Sequence, residues 1–331
     1  MKNFKLLSIV LAILGVAGAT VLVGWFGFDR VTHAILSAGI RGFALFCAWQ
    51  LIVMALLGIA WRVVAPALNP QISGGRALAV FAWGRMVRDS ASSCLPFSPV
   101  GGFVIGARAI TLHGVSWPVA GISTVVDLTA EFAAEIIFAL GGLLILLGST
   151  SDTAIMRPAQ IGVGIAVVAT IAVLRLQRGI APMFIKLAKR LLGQWFGGME
   201  HDGISTVDLA DLCGDSKRLA SCTAIHLLGW FGKGLGNWIA FRLLGSDLDL
   251  MGALAIEGLL HVVMATAVLI PGYAGVQEAG YVALGGIFGV PPEIALAVSL
   301  LRRARDIAIG IPILIIWQLF EVRRLRSVPA S

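Results

Sequence analysis

Residues 293–320 read EIALAVSLLRRARDIAIGIPILIIWQLF, an apolar run long enough to cross a bilayer that nonetheless carries Arg302, Arg303, Arg305 and Asp306 near its middle. Ionisable groups at that depth mark a functional site by default. A second apolar stretch, Val119 to Leu147, carries Asp127, Glu131 and Glu135. Their spacing of four puts all three on one helical face. Seven such groups turned toward lipid would cost roughly 20 kcal/mol, more than a folded domain has to spare. They must therefore meet each other, or water, inside the protein.

The rest of the chain fits that reading. Of 331 residues, 58% are hydrophobic and 13% charged, with a mean hydropathy of +0.92, far above a soluble domain. The chain is expected to be an all-α, polytopic membrane protein, because a spanning segment must satisfy its backbone internally. The net charge of +7 resides largely in loops, which points to positive-inside topology rather than to nucleic acid. Cys47, Cys94, Cys213 and Cys222 form no CxxC pair and read as reduced structural thiols. The start of the chain resembles a signal peptide, with Ala17-Gly18-Ala19 as a cleavage site, but its apolar run continues to Phe28. That is too long for an h-region and predicts an uncleaved first span.

Six spans are expected, at about Leu6–Phe28, Phe43–Val64, Val119–Leu147, Gln160–Leu176, Leu219–Leu244 and Glu293–Phe320. Two further apolar regions, 77–113 and 251–289, are cut by breakers. Pro96, Pro99, Gly101 and Gly102 interrupt the first; Pro271, Gly272 and Gly275 interrupt the second. An arm of about 14 residues covers about 21 Å, short of the ~30 Å hydrocarbon core, so both regions read as re-entrant helical hairpins with unwound tips. With the N-terminus in the cytoplasm, the cytoplasmic segments carry fourteen Lys/Arg and the outer loops three, and the C-terminus is cytoplasmic too. The first hairpin then enters from the cytoplasm and the second from outside.

The order span, span, hairpin, span occurs twice with opposite orientation. A shift of 175 residues places Pro96 on Pro271, Asp127 on Arg302 and Glu131 on Asp306. Direct identity is poor, and the pattern of breaks and charges carries the inverted repeat. The two membrane units are residues 1–150 and 151–331. The second contains a cytoplasmic loop, 177–218, in which Ala181–Met199 reads as an interfacial amphipathic helix.

If the two units face each other, the carboxylates of Asp127, Glu131 and Glu135 can pair with Arg302 and Arg305, either as a structural network or around a hydrated cavity. The hairpins add Arg85, Arg88, Asp89 and Arg108 in the first and Glu257, His261, Gln277 and Glu278 in the second. Arg85 with Asp89, and Glu257 with His261, are spaced i,i+4. The helix that begins after each break aims its N-terminal amides at mid-membrane, a ready anion site. His226, Trp230, Lys233 and Asn237 form a polar stripe that reads as internal glue. The pairs Gly102/Gly106, Gly232/Gly236 and Gly285/Gly289 read as close-packing sites.

HExxH, GxSxG and Walker sequences do not occur, so an enzyme, a cofactor and a resident metal are not expected. A divalent site could arise only if folding gathered Glu257, His261 and the Asp127 face.

Pro271-Gly-Tyr-Ala-Gly-Val-Gln-Glu278, Gly289-Val-Pro-Pro-Glu293 and Ser299-Leu-Leu-Arg302 resemble the C-terminal motif of the transmembrane region of the lysylphosphatidylglycerol synthase superfamily. Trp83-Gly-Arg-Met-Val-Arg88-Asp89, Leu95-Pro-Phe-Ser-Pro-Val-Gly-Gly-Phe103 and Gly106-Ala-Arg108 resemble a narrower branch, membrane proteins found with bacterial hopanoid-biosynthesis enzymes. The synthases carry a soluble aminoacyl-transferring domain that this sequence does not show, so lipid aminoacylation is not implied. The resemblance implies an inner-membrane flippase moving a hopanoid or another amphiphilic lipid toward the outer leaflet or outer membrane. Its implied partners are the lipid, the membrane and hopanoid-pathway or envelope-transport proteins. An intramembrane lipid-modifying enzyme and a scaffold for hopanoid enzymes are the alternatives. Oligomeric state is not legible.

Overall fold

A computed structural model describes residues 36–65, 72–95, 100–149, 215–266 and 275–327, together with His33 and Tyr273. The expected spans Leu6–Phe28 and Gln160–Leu176, the amphipathic Ala181–Met199, and the tip residues Pro96, Pro99, Pro271 and Gly272 lie outside them. The described chain is helical. In order, α1 is Ile40–Val64, α2 Gly74–Cys94, α3 Val100–Thr111, α4 Trp117–Ser149, α5 Ser216–Leu243, α6 Leu250–Thr266, α7 Val276–Ile287 and α8 Pro292–Ser327.

Local sequence explains the helix starts. Asp215 accepts the Arg218 amide at 3.1 Å and caps α5. Pro292 opens α8, where its missing N–H is no loss, and Glu293 follows in the first turn. Glu278 reaches back to the Gly275 amide at 2.8 Å and closes the start of α7. That amide is therefore occupied by the helix's own side chain.

Both interrupted regions fold as antiparallel helix pairs. On α3, a Cβ at Gly102 would lie 2.8 Å from the Arg88 carbonyl oxygen, and one at Gly106 would lie 3.1 Å from that of Gly84. Only glycine admits such backbone approach of α3 to α2. The pair α6 and α7 runs the same way, with Gly252 against Phe288 and Gly280 against Leu260. At 12 residues each, α3 and α7 reach about 18 Å, well short of the bilayer core. A Cβ at Gly285 would fall 3.1 Å from that of Ala295, as at a packing site, but one at Gly289 would meet nothing within 4 Å. Gly289 sits at φ +74 with open space around it and turns the chain from α7 into α8.

The middle of the bundle is α5, which packs on α1, α4, α6 and α8. Gly229, Gly232 and Gly236 face Leu57, Val53 and Trp49 of antiparallel α1, and Trp49 Nε1 donates to the Gly232 carbonyl at 2.7 Å. On its other side Gly234 faces Leu254 of α6. Apolar cores fill both flanks, one around Trp61, Phe81 and Ile110, the other around Phe46, Phe241 and Leu301. Outward-facing Leu45, Ile52, Leu144, Ile315 and Leu319 are each more than half exposed, a surface suited to lipid rather than water. Helix α1 and the Val119–Ser149 part of α4 are long and apolar enough to cross a membrane. Cys47, Cys94 and Cys222 are free thiols.

Candidate functional site

The first charged cluster joins α2 to α4. Arg88 donates to Asp127 at 2.7 Å and also to Glu131. Arg85 grips Glu131 with both terminal nitrogens, at 3.0 and 2.6 Å, and its Nε donates to Asp89 at 3.0 Å, one turn along its own helix. Such two-pronged guanidinium–carboxylate contacts are the strongest of the charged hydrogen bonds. Helix α5 adds His226, whose Nε2 lies 2.8 Å from Asp127. Arg85 is 2% exposed and Asp127 fully buried, so each charge here exists only by virtue of its partners. Phe103 of α3 stacks beneath the Arg88 guanidinium at 4.2 Å.

A second cluster joins α6 and α7 to α8. Arg302 donates to Glu257 at 2.7 Å and to the Tyr281 hydroxyl at 3.1 Å. That hydroxyl in turn donates to Asn237 of α5 at 3.0 Å, and Asn237 is anchored on the Ala253 carbonyl. His261 bonds the Glu257 backbone carbonyl at 3.0 Å and lies 3.5 Å from its carboxylate. One helical position on, Arg303 pairs with Glu278 at 2.6 Å and reaches the Tyr273 carbonyl. Ser299 joins Glu278 to Gln277, which donates to the Ser299 hydroxyl at 2.9 Å. Arg305 and Asp306 pair with each other at 2.7 Å.

These contacts correct the expected pairing of Asp127, Glu131 and Glu135 with Arg302 and Arg305. The guanidinium–carboxylate pairs of each cluster lie within one half, because the first arm of each hairpin places opposite charges directly beside the long helix that follows. Glu135 makes no ion pair among the described residues. The halves are tied directly by His226 on Asp127 and by Arg108 of α3, which grips Glu321 of α8 with two bonds, at 3.0 and 2.7 Å. The tip residues Gly101 and Gly102 begin α3, and neither they nor Gly275 contribute a side chain to the clusters.

Beside the second cluster lies a cavity of about 30 Å³, lined by Gln50, Lys233, Asn237, Glu257, Tyr281, Arg302 and Arg305 together with apolar residues. It has room for water and enough polar partners to hold it. The polar stripe on α5 therefore divides. His226 serves the first cluster and Asn237 the second, while Lys233 faces the cavity with Trp230 beneath its ammonium at 3.8 Å.

Sequence reading missed Tyr281, Ser299 and Glu321. Glu321 carries one discoverable signal, a carboxylate set just before Arg323 and Arg324 on a helix that could turn it inward. Glu257 and His261 lie in the second cluster, away from the Asp127 face, so the divalent site that only folding could have gathered is not found among the described residues. Asp127, Cys222 and His226 do bring their ligand atoms within 4.8 Å of one another, all buried. Arg88 and Arg85 stand 2.7 and 3.7 Å from the same Asp127 carboxylate, and two guanidinium groups that close oppose a cation.

A family model described as the lysylphosphatidylglycerol synthase TM region matches residues 9–313. The chain belongs to this family and is an integral membrane protein. No curated protein and no solved structure matches the chain.

Proposed function

We propose that the chain moves an amphiphilic lipid across the bacterial inner membrane toward its outer leaflet, without changing that lipid chemically. The observation that carries the reading is the pair of buried charge clusters, Arg85/Arg88 with Asp127/Glu131 and Arg302 with Glu257, the second of which lines a polar cavity. Such groups in a lipid-embedded bundle serve polar passage far more often than stability, because a well-packed apolar core would be as stable. The proposed frame is six spans and two re-entrant hairpins, entering from opposite faces as an inverted repeat with both termini cytoplasmic. Hopanoid is the lipid that the branch resemblance implies, with hopanoid-pathway or envelope-transport proteins as partners.

The test is a proteoliposome assay in which a fluorescent lipid on one leaflet is bleached chemically from outside. Wild type should expose the inner-leaflet probe faster than empty vesicles, and Asp127→Asn or Arg302→Met should return it to background. Equal rates for wild type and empty vesicles across hopanoid and phospholipid probes would defeat the proposal. Mass spectrometry of the same lipids distinguishes the enzyme reading, since a transporter leaves their masses unchanged.

A further inference from the structure

We infer that the contact between His226 and Asp127 is a proton-binding site, and that the bound proton fastens the second half of the bundle to the first. Its use in moving lipid rests on the transport reading; the site itself does not.

Three carboxylates of the first cluster, Asp89, Asp127 and Glu131, share two guanidinium groups, those of Arg85 and Arg88. Elsewhere in the described interior the signs balance. Glu257 has Arg302, Glu278 has Arg303, Asp306 has Arg305 and Glu321 has Arg108, while the charge of Lys233 reaches Glu135. One negative charge is thus in surplus, and it lies in the first cluster. Left unmatched among apolar helices it is costly, and a proton removes it. The two arginines that oppose a metal ion at Asp127 do not exclude a proton, which needs neither a ligand shell nor a cavity.

His226 is placed to carry it. Its Nε2 lies 2.8 Å from Asp127 Oδ1, and both side chains are fully buried. The oxygens of Asp127 and Glu131 are all bonded, whereas His226 Nδ1 is buried without a hydrogen-bond partner. With Nε2–H donating to Asp127, the free lone pair of Nδ1 takes the proton, and an imidazolium then meets a carboxylate. His261 is less suited: its Nδ1 bonds the Glu257 backbone carbonyl, and Glu257 already holds Arg302.

The other groups around the ring leave that assignment intact. From α4, Asp127 and Glu131 face it, with Arg85 and Arg88 of α2 behind them. On α5 itself the Cys222 thiol lies 3.8 Å from Asp127 Oδ1, and Lys233 follows two turns on, its charge reaching Glu131. Helix α1 brings Arg62, which bonds the Ala65 carbonyl and whose charge reaches Arg218. Glu257 and His261 of α6 and Arg302 of α8 stand in the second cluster. Because α5 belongs to the second half and α4 to the first, loading turns a neutral hydrogen bond between halves into a charge-assisted one, roughly twice as strong. Releasing the proton loosens that tie and leaves the surplus charge behind. In a transporter, proton occupancy then sets how firmly the two halves hold together.

The full chain, labelled with nitrogen-15 histidine and purified in maltoside, is followed by NMR between pH 5 and 9, with His226 identified as the signal lost in His226→Gln. Both ring nitrogens of His226 should carry protons at pH 7. Asp127→Asn should weaken its proton affinity by about tenfold or more, the usual effect of removing an adjacent opposite charge. Asp89→Asn gives an independent variant, because Asp89 is 20% exposed, pairs with Arg85 and touches neither His226 nor Asp127. It removes the surplus carboxylate from a distance and should weaken the affinity by about threefold. A single ring proton on wild-type His226 at pH 7 overturns the inference, and so does a titration midpoint that Asp89→Asn leaves unmoved. Because no lipid movement is measured, a chain that fails the vesicle assay still shows or lacks this proton, and the two readings fail separately.

Discussion

The two halves solve one problem with opposite signs. In the first, the hairpin arm α2 carries the arginines, Arg85 and Arg88, and the long helix α4 carries the acids, Asp127 and Glu131. In the second, the hairpin arm α6 carries the acid, Glu257, and the long helix α8 carries the arginine, Arg302. The unit within which these ion pairs close is thus a hairpin with its following helix, and either polarity satisfies it. The halves also differ in depth of commitment. Asp127 and Glu131 are held by two arginines and a histidine, whereas Glu257 has one arginine and leaves Oε1 without a hydrogen bond beside His261.

The largest blow to the first half should come from Asp127→Asn, which removes one of the two carboxylates that hold Arg88 and the only one that meets His226. A loss of about 3–5 kcal/mol is expected, read as the unfolding temperature of the purified protein in detergent. Double-mutant cycles sharpen the comparison. Arg88 with Asp127, and Glu257 with Arg302, should each couple by about 0.5–3 kcal/mol, whereas Asp127 with Arg302 should couple by no more than about 0.5. Strong coupling of that last pair would restore the pairing between halves that the contacts deny. Tyr281→Phe removes the hydroxyl linking Arg302 to Asn237 and should cost about 1–3 kcal/mol in the same unfolding measurement. Least affected is Glu135→Gln, expected to stay within about 0.5 kcal/mol, since no ion pair is lost.

What the sequence makes legible follows local rules. The i,i+4 spacing finds Arg85 with Asp89, the glycine pair on α3 finds the close approach to α2, and the charges inside residues 293–320 identify the helix around which one cluster forms. Partner choice is not a local property. Asp127 can neutralise any arginine brought near it, and only the antiparallel placement of α2 decides between Arg88 and Arg302. Tyr281 escapes for the same reason: within VQEAGYVALGGI a single hydroxyl looks like core, and its role exists only where α5, α7 and α8 converge.

Helix α8 is 36 residues long, about 54 Å, and is fastened at three stations. Arg302 is held in the second half; Gly310 lies so close to the first that an added Cβ would fall 2.6 Å from the Cys94 sulfur; Glu321 is clasped by Arg108. Held near both ends, α8 links the position of α3 to that of Arg302. Pro312 sits between the outer pins and lacks an amide to bond the preceding turn, so the backbone ladder of the rod is weakest there.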